Sequence, residues 1–317
     1  NAANRTGVRG QVHWDITPEI SNTLRADYVY TNENWVIFGT LAAPFTSYPD
    51  PLQNSIIGDL SKIDMNHVPH LRMRGSGVSD EFNWKINDNL SLKSITSYRT
   101  EHSNPDAGDT RTVNHSATIT DIDENALSQE FNLINHNGPL SGVIGYFYFR
   151  EKYTFTGMGW FAFGDPSVSD FGGTYFQITK QPTTSHAVFF NETYQFTPEV
   201  GITVGGRYTT EKRGLNNTEN FFAVGGGLHT RAQALAADPV LAGCVKAMKS
   251  CGGNYVGDLS HDYTSFAPKV SLNWQVTPDT ILSASAANAY KSGGLNFTYA
   301  TQSALLTPNF GPEKIWD

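Results

Sequence analysis

The sequence predicts an all-β fold, an antiparallel β-barrel that crosses a membrane on its strands. Three observations predict it. Segments rich in Thr, Val, Tyr, Phe and Trp alternate apolar and polar residues with period two, while helical periodicity is scarce. These segments come in pairs joined by tight turns, and short and long connections alternate along the chain without exception. Aromatic residues gather at both strand ends. A sandwich scatters loop lengths between its two ends, whereas an outer-membrane barrel has short periplasmic turns and long extracellular loops by topology.

The first pair covers residues 8–16 and 20–31 around Thr17, Pro18 and Glu19, with Val8, Val12, Trp14 and Ile16 on one face and Arg9, Gln11, His13 and Asp15 on the other. The second covers 78–86 and 90–102 and turns at Asn87, Asp88 and Asn89, residues that tolerate tight hairpin angles. The third, 125–134 and 140–155, carries Asn137-Gly138, a strong short hairpin signal. Pairs at 184–196 with 200–212 and at 264–276 with 281–291 turn through Thr-Pro-Glu and Thr-Pro-Asp, and an eleventh strand begins near Glu313. Strands of about 9 to 13 residues match the roughly 9 to 11 of a tilted crossing. The spans 33–75, 103–123, 157–183, 213–263 and 292–312 read as long connections, the fourth holding one or two short helices within 230–249.

Trp14, Phe82, Trp84, Phe196 and Trp274 lie near the short turns, and Tyr28, Tyr30, Tyr98, Tyr208 and Tyr290 towards the long-loop ends. Amphipathic rings prefer the headgroup level, so two such bands are the girdles of a membrane barrel. Trp14, Phe82, Trp84 and Trp274 are expected to face lipid at the periplasmic interface.

Composition removes other classes. Charged residues are 16% of the 317, well under the usual quarter, and no apolar run exceeds eight residues, which excludes a transmembrane helix. With Lys+Arg 22 against Asp+Glu 30 and a net charge of -8, there is no basic surplus for nucleic acid. Cys244 and Cys251 share one polar, Gly-rich stretch, which favours a disulfide-closed loop in an oxidising compartment over a four-ligand metal site. Asp64, His67 and His70 read as a solvated loop because Pro69 breaks their spacing; His13, His102, His186 and His261 stand singly on strands or strand ends. No nucleophile elbow, phosphate-binding Gly loop or zinc-hydrolase motif is present, so no catalytic residue, metal or cofactor is assigned.

The strings GGRYTTEKR (205–213), FAPKVSLNW (266–274), AYKSGGLNF (289–297) and GPEKIWD (311–317), with RGQVHWDITPE (9–19) and SLKSITSYR (91–99), together resemble the barrel of TonB-dependent outer-membrane receptors, over nearly the whole chain. The resemblance implies a 22-stranded barrel whose N-terminal plug fills the lumen and carries the box contacted by TonB. Neither plug nor closing strands are visible, so residues 1–317 are expected to be an internal fragment of that barrel, its strands roughly the fifth to fourteenth.

On that reading the charges Arg9, Arg25, Glu81, Lys85, Lys93, Arg99, Glu130, Arg207 and Lys269 face the lumen, since a charge on the lipid face costs up to roughly 2 to 4 kcal/mol at the midplane. They either dock the plug or solvate a water-filled interior. Trp160, Phe161, Phe163, Phe171, Tyr175 and Phe176 either capture ligand or pack the extracellular loops against one another. The implied function is active import across a Gram-negative outer membrane, powered through TonB, of a scarce nutrient such as a ferric siderophore. The protein would not be an enzyme. The partners are outer-membrane lipid, TonB and the ligand. The alternatives are a passive porin, or TonB-dependent uptake of a non-iron ligand such as cobalamin or a glycan.

Overall fold

The computed structural model describes residues 4–34, 69–108, 116–162, 172–223, 255–295 and 309–317. All its regular elements are strands: β1 (Arg5–Thr17), β2 (Ile20–Asn34), β3 (His70–Asn87), β4 (Leu90–Gly108), β5 (Ser116–Asn137), β6 (Leu140–Ala162), β7 (Gly172–Thr197), β8 (Val200–Ala223), β9 (Tyr255–Thr277), β10 (Thr280–Lys291), β11 (Gly294–Leu295), β12 (Asn309–Phe310) and β13 (Glu313–Trp316). Ten strands in chain order, followed by β13, form one 11-stranded antiparallel sheet, and β11 pairs with β12 separately. Every hairpin pairs with the next, a meander that keeps each partner local.

The five short connections are all two-residue turns, and the chemistry at their corners repeats. Thr17 Oγ1 accepts from the backbone N–H of Glu19 and Ile20, each at 3.2 Å, and Thr197 does the same for Glu199 and Val200. Asn87 Oδ1 takes the N–H of Asn89 at 2.9 Å, the side chain completing the turn that the backbone leaves open. The register slips by one residue beside four of these turns, between Asp15 and Thr17, Lys85 and Asn87, Gln195 and Thr197, and Thr280 and Ile281. The fifth turn needs no slip, because Gly138 takes φ 58°, open to a residue without Cβ. Four of the five turns are also stitched to the following hairpin: the carbonyls of Glu19, Asn89, Pro139 and Glu199 accept at 2.8 Å from Lys85, His136, Gln195 and Gln275.

The strands run well past their expected ends. β6 has 23 residues and β7 has 26, where 16 and 13 were expected, so much of the spans 103–123, 157–183 and 213–263 is strand rather than connection. At about 3.3 Å per residue β7 reaches roughly 85 Å, far more than a bilayer crossing requires. Beyond the bilayer both faces of a strand can be wetted, so period two fades while the ladder continues. Prolines masked the extension as well. The β4–β5 pairing omits Asn104 and Pro105, and the β7–β8 pairing omits Gln181 and Pro182, yet register resumes unchanged on both sides. Thr120 Oγ1 donates to the Pro105 carbonyl at 2.5 Å across one of these gaps. The helices expected within 230–249 and both cysteines lie outside the described residues.

A single sheet has no interior, and buried apolar side chains among the described residues are few, Ala187, Leu215 and Tyr263 with the rings of Pro69 and Pro105. Cohesion comes from ladder hydrogen bonds and cross-strand pairs.

Candidate functional site

The pairing register divides the sheet into two unlike faces. Arg9 opposes Asp27, Asp27 opposes Gly77 and Gly77 opposes Arg99; four residues nearer the turns, Thr23, Glu81, Ile95, Glu130 and Phe147 stand in line. Arg25, Lys85, Lys93, Arg207 and Lys269 hold the same parity. All nine charges nominated from sequence therefore share one face.

Several of them are joined. Glu81 accepts from Arg25 Nη1 at 3.0 Å and from Asn83 Nδ2 at 3.2 Å, and lies 3.3 Å from Lys93 Nζ. The Glu81 side chain keeps 21% exposure and those of Arg25 and Lys93 keep 31% and 35%, a half-screened cluster. Arg99 pairs with Asp27, Lys85 with Asp88 at 2.7 Å, and Glu130 accepts from Asn132 Nδ2 at 2.6 Å. Arg207 is held differently, its guanidinium carbon 5.3 Å from the Phe147 ring centroid and 5.5 Å from that of Phe189. Gly145 makes room for this, since a Cβ there would stand 2.2 Å from Phe189 Cζ. Arg9 and Lys269 form no ion pair among the described residues. Sequence reasoning missed Asp27, Asn83, Phe147 and Phe189; parity put Asp27 and Asn83 two residues from a nominated charge on their own strands, whereas Phe147 and Phe189 meet Arg207 only through the cross-strand register.

Farther from the turns this face carries a second group. Arg213 pairs with Glu211 at 2.5 Å, and Glu101 and Glu124 oppose each other in register. Burial, then the charge of Glu124, raises the Glu151 carboxyl above its usual value; burial, then Glu124 and Glu101, does the same to the Tyr153 hydroxyl. Burial also raises Tyr263, whose hydroxyl donates to the Gly294 carbonyl at 3.1 Å and fastens the β11–β12 ribbon to β9. Near the sheet edge Arg5 Nη2 reaches Glu33 at 2.5 Å, and that hydrogen bond lowers the Glu33 carboxyl.

The opposite face is mainly apolar from the short turns upward, with Asp80 and Glu192 as its carboxylates. Trp14 aligns with Asn22 and Phe82, Ile20 with Trp84, and Val200 with Trp274, so the four nominated girdle residues share this face near the turns. Trp14, Trp84 and Trp274 are 40%, 40% and 46% exposed, large rings that neighbouring strands cover only in part. Tyr28, Tyr98, Tyr148, Tyr208 and Tyr290 carry the same parity about eight to ten residues from their turns. Beyond them His102 Nδ1 lies 2.8 Å from Asp123 and 3.4 Å from Asp121, a part-exposed cluster of an imidazole and two carboxylates.

Of the nominated aromatics, Trp160 and Phe161 fall at the end of β6 and Tyr175 and Phe176 at the start of β7. The register brings Trp160 opposite Thr174 and Gly159 opposite Tyr175, while Tyr175 opposes Phe221 on β8. The topology thus gathers four of the six at one end of the sheet and adds Phe221 and Phe222 alongside. Phe163 and Phe171 lie outside the described residues.

Comparison with known proteins agrees with this architecture. The family model described as TonB dependent receptor-like, beta-barrel, matches residues 12–317. The ferric yersiniabactin uptake receptor FyuA from Yersinia pestis superposes with TM-score 0.68 at 11% identity, covering 98% of this chain and 41% of that one. The ferric citrate transporter FecA gives 0.62 at 11% identity, with 99% and 40% covered. The ferric-catecholate import receptor Fiu from K12 E. coli, in its closed form, gives 0.60 at 14%, with 98% and 47%. The chain thus spans two fifths to a half of the length of these structures. No curated protein sequence matches it. At such identities the structural likeness speaks for the fold, and the family match covers almost every residue. The chain belongs to the TonB-dependent receptors and is sequence of their β-barrel, a Gram-negative outer-membrane architecture.

Proposed function

We propose that the protein to which this sheet belongs imports a ferric siderophore across the outer membrane in a TonB-dependent way. Family membership over residues 12–317 carries the reading. Solved proteins of the same fold that are named for ferric yersiniabactin, ferric citrate and ferric catecholate support the ligand class. The chain forms part of one barrel domain. Its apolar face meets lipid, with Trp14, Phe82, Trp84 and Trp274 as the periplasmic girdle. Its polar face lines the lumen, where Arg9, Arg25, Glu81, Lys85, Lys93, Arg99, Glu130, Arg207 and Lys269 meet the plug. The aromatic end of β6 and β7, including Trp160, Phe161, Tyr175 and Phe176, contributes to ligand capture. No bond in the ligand needs to be made or broken by the barrel, and energy enters through TonB.

The experiment is uptake of radioactive iron, supplied as hydroxamate, catecholate and carboxylate chelates, by iron-starved cells that lack their own ferric receptors and carry the complete gene. The expected result is accumulation of one chelate class that stops when TonB is deleted. Uptake persisting without TonB would point to a passive porin, and uptake of cobalamin or glycan alone would replace the ligand class.

A further inference from the structure

Along β4 alone His102 has no partner, and the register gives it two. His102 opposes Asp123 on β5, and Asp121, two residues away on that strand, projects from the same face. His102 Nδ1 lies 2.8 Å from Asp123 Oδ1 and 3.4 Å from Asp121 Oδ1, and the three donor atoms stand within 4.8 Å of one another. The two contacts differ in kind. The shorter is a hydrogen bond. The longer is not, and Asp121 Oδ1 accepts no hydrogen bond from any other group although it is shut off from solvent. A carboxylate oxygen in that position has lost its water without gaining a donor, a cost that a bound ion would remove.

The cluster stands where the ladder between the two strands is broken. Pairing runs as far as Ser103 with Ile122 and resumes at Asp106 with Ile119, so Asn104 and Pro105 have no rungs to Thr120 and Asp121. All three side chains stay part-exposed, and a cleft of about 270 Å³ lined by Ser76, Tyr98 and Thr100 leads up to His102 and Asp123, so an ion has a way in from solvent. A neutral imidazole with two carboxylates carries two negative charges. Arg74 opposes His102 from β3 but forms no ion pair among the described residues, so that charge is not spent on it.

We infer that His102, Asp121 and Asp123 bind one divalent transition-metal ion of the zinc type, which staples β4 to β5 beside the gap in their ladder. One imidazole nitrogen and two carboxylate oxygens form a mixed donor set that suits Zn²⁺, whereas Ca²⁺ and Mg²⁺ take oxygen ligands. Bonds of about 2.0 to 2.2 Å in a tetrahedral arrangement set the donor atoms roughly 3.3 to 3.5 Å apart. The Asp121 contact already has that spacing, and the Asp123 contact reaches it by opening about 0.5 Å. On binding, the Nδ1 lone pair goes to the ion, the proton that Nδ1 shared with Asp123 leaves through solvent, and water fills the fourth position. The ion would replace by coordination the cross-strand bonds that Pro105 interrupts.

The assignment does not depend on what the protein imports, and its test involves no uptake. Untagged protein in neutral detergent, with any free thiol alkylated and metal stripped by chelator, is titrated with Zn²⁺ in a calorimeter. His102→Gln and Asp121→Asn should each lose one zinc equivalent or weaken it by about tenfold or more, since loss of a direct ligand costs at least as much as loss of a supporting group. His136→Gln, near the turn end of β5, should bind as the parent does, and a tenfold excess of Ca²⁺ should not displace the ion. Heat-modifiable gel mobility establishes that the variants are folded. If they are not, unaltered protein decides: Zn²⁺ should protect His102, and not His136, from carbethoxylation mapped by peptide mass spectrometry. Folded variants that bind zinc as the parent does, or His102 modified equally with and without Zn²⁺, would overturn the assignment and leave an imidazole merely held between two carboxylates. Displacement by Ca²⁺ would overturn it in favour of a hard-cation site.

Discussion

Glu81 is the hub of the polar face, and removing it should cost more than removing any one of its partners. It holds Arg25 at 3.0 Å, Lys93 at 3.3 Å and the Asn83 amide at 3.2 Å. Half-exposed ion pairs contribute roughly 0.2 to 1 kcal/mol each, and a hydrogen bond to a charged group contributes about 1.5 kcal/mol at its lower end. Glu81→Ala should therefore destabilise by about 2 kcal/mol. Lys93→Ala leaves the carboxylate with Arg25 and Asn83, so its cost should stay near 0.5 kcal/mol. The measurement is urea unfolding of the purified protein in detergent, followed by tryptophan fluorescence, for both single variants and the double. The double should be less destabilised than the sum by about 0.5 kcal/mol, the coupling of the pair. The reasoning fails if Lys93→Ala costs as much as Glu81→Ala, or if the two effects simply add.

Gly142→Ala should destabilise by about 1 to 3 kcal/mol, because the new Cβ would stand 2.3 Å from the Asn191 carbonyl oxygen, while Gly10→Ala, with nothing within 4 Å, should stay within about 0.5 kcal/mol in the same titration. The raised Glu151 carboxyl favours the folded state in its protonated form; that stability is full below the ordinary carboxylate pKa and is lost as pH rises through the folded value. Glu151→Gln should flatten that part of the unfolding-midpoint profile. Glu33 has the opposite sign: its stability holds above the ordinary carboxylate pKa and is lost as pH falls through the lowered one, so Glu33→Gln should selectively remove an acid-side loss. Cys244 and Cys251 should be joined in protein isolated from membranes, seen as a mass two hydrogens below that of the reduced protein; two alkylatable thiols without reductant would contradict it.

What the sequence made legible was the part of each strand that separates two solvents. From Val8 to Ile16, lipid on one side and water on the other enforce period two, and the pattern can be read residue by residue. From Thr174 to Thr184 no such contrast exists. Gln177, Thr179, Gln181 and Pro182 belong to β7 through ladder pairing with neighbours far away in sequence, a tertiary cause that local propensity does not display. The polar face was legible for the same reason as the crossing, since parity fixed all nine charges. Their partners were not, because a pair such as Arg99 with Asp27 depends on which rungs of β2, β3 and β4 come level, set for β3 and β4 by the bulge beside their turn and for β2 and β3 by pairing across a long connection.

The pairing pattern also divides the nine polar-face charges into two kinds. Arg99 is neutralised within the sheet by Asp27 and Lys85 at its turn by Asp88, while Arg25 and Lys93 share the single carboxylate of Glu81, which cancels one of their two charges. Such groups hold strands in register and have less charge left to offer a visitor. Arg207 is cushioned between aromatic rings, which screen it without cancelling it. Arg9 and Lys269 have neither kind of partner among the described residues, so of the seven cations they retain the most unspent field. If a plug docks on this wall, the electrostatic part of its attachment therefore falls on Arg9 and Lys269. The Glu81 cluster instead supplies the stiffness against which it docks. A face with the same composition but all its cations paired would make a rigid wall with no electrostatic preference for what fills it.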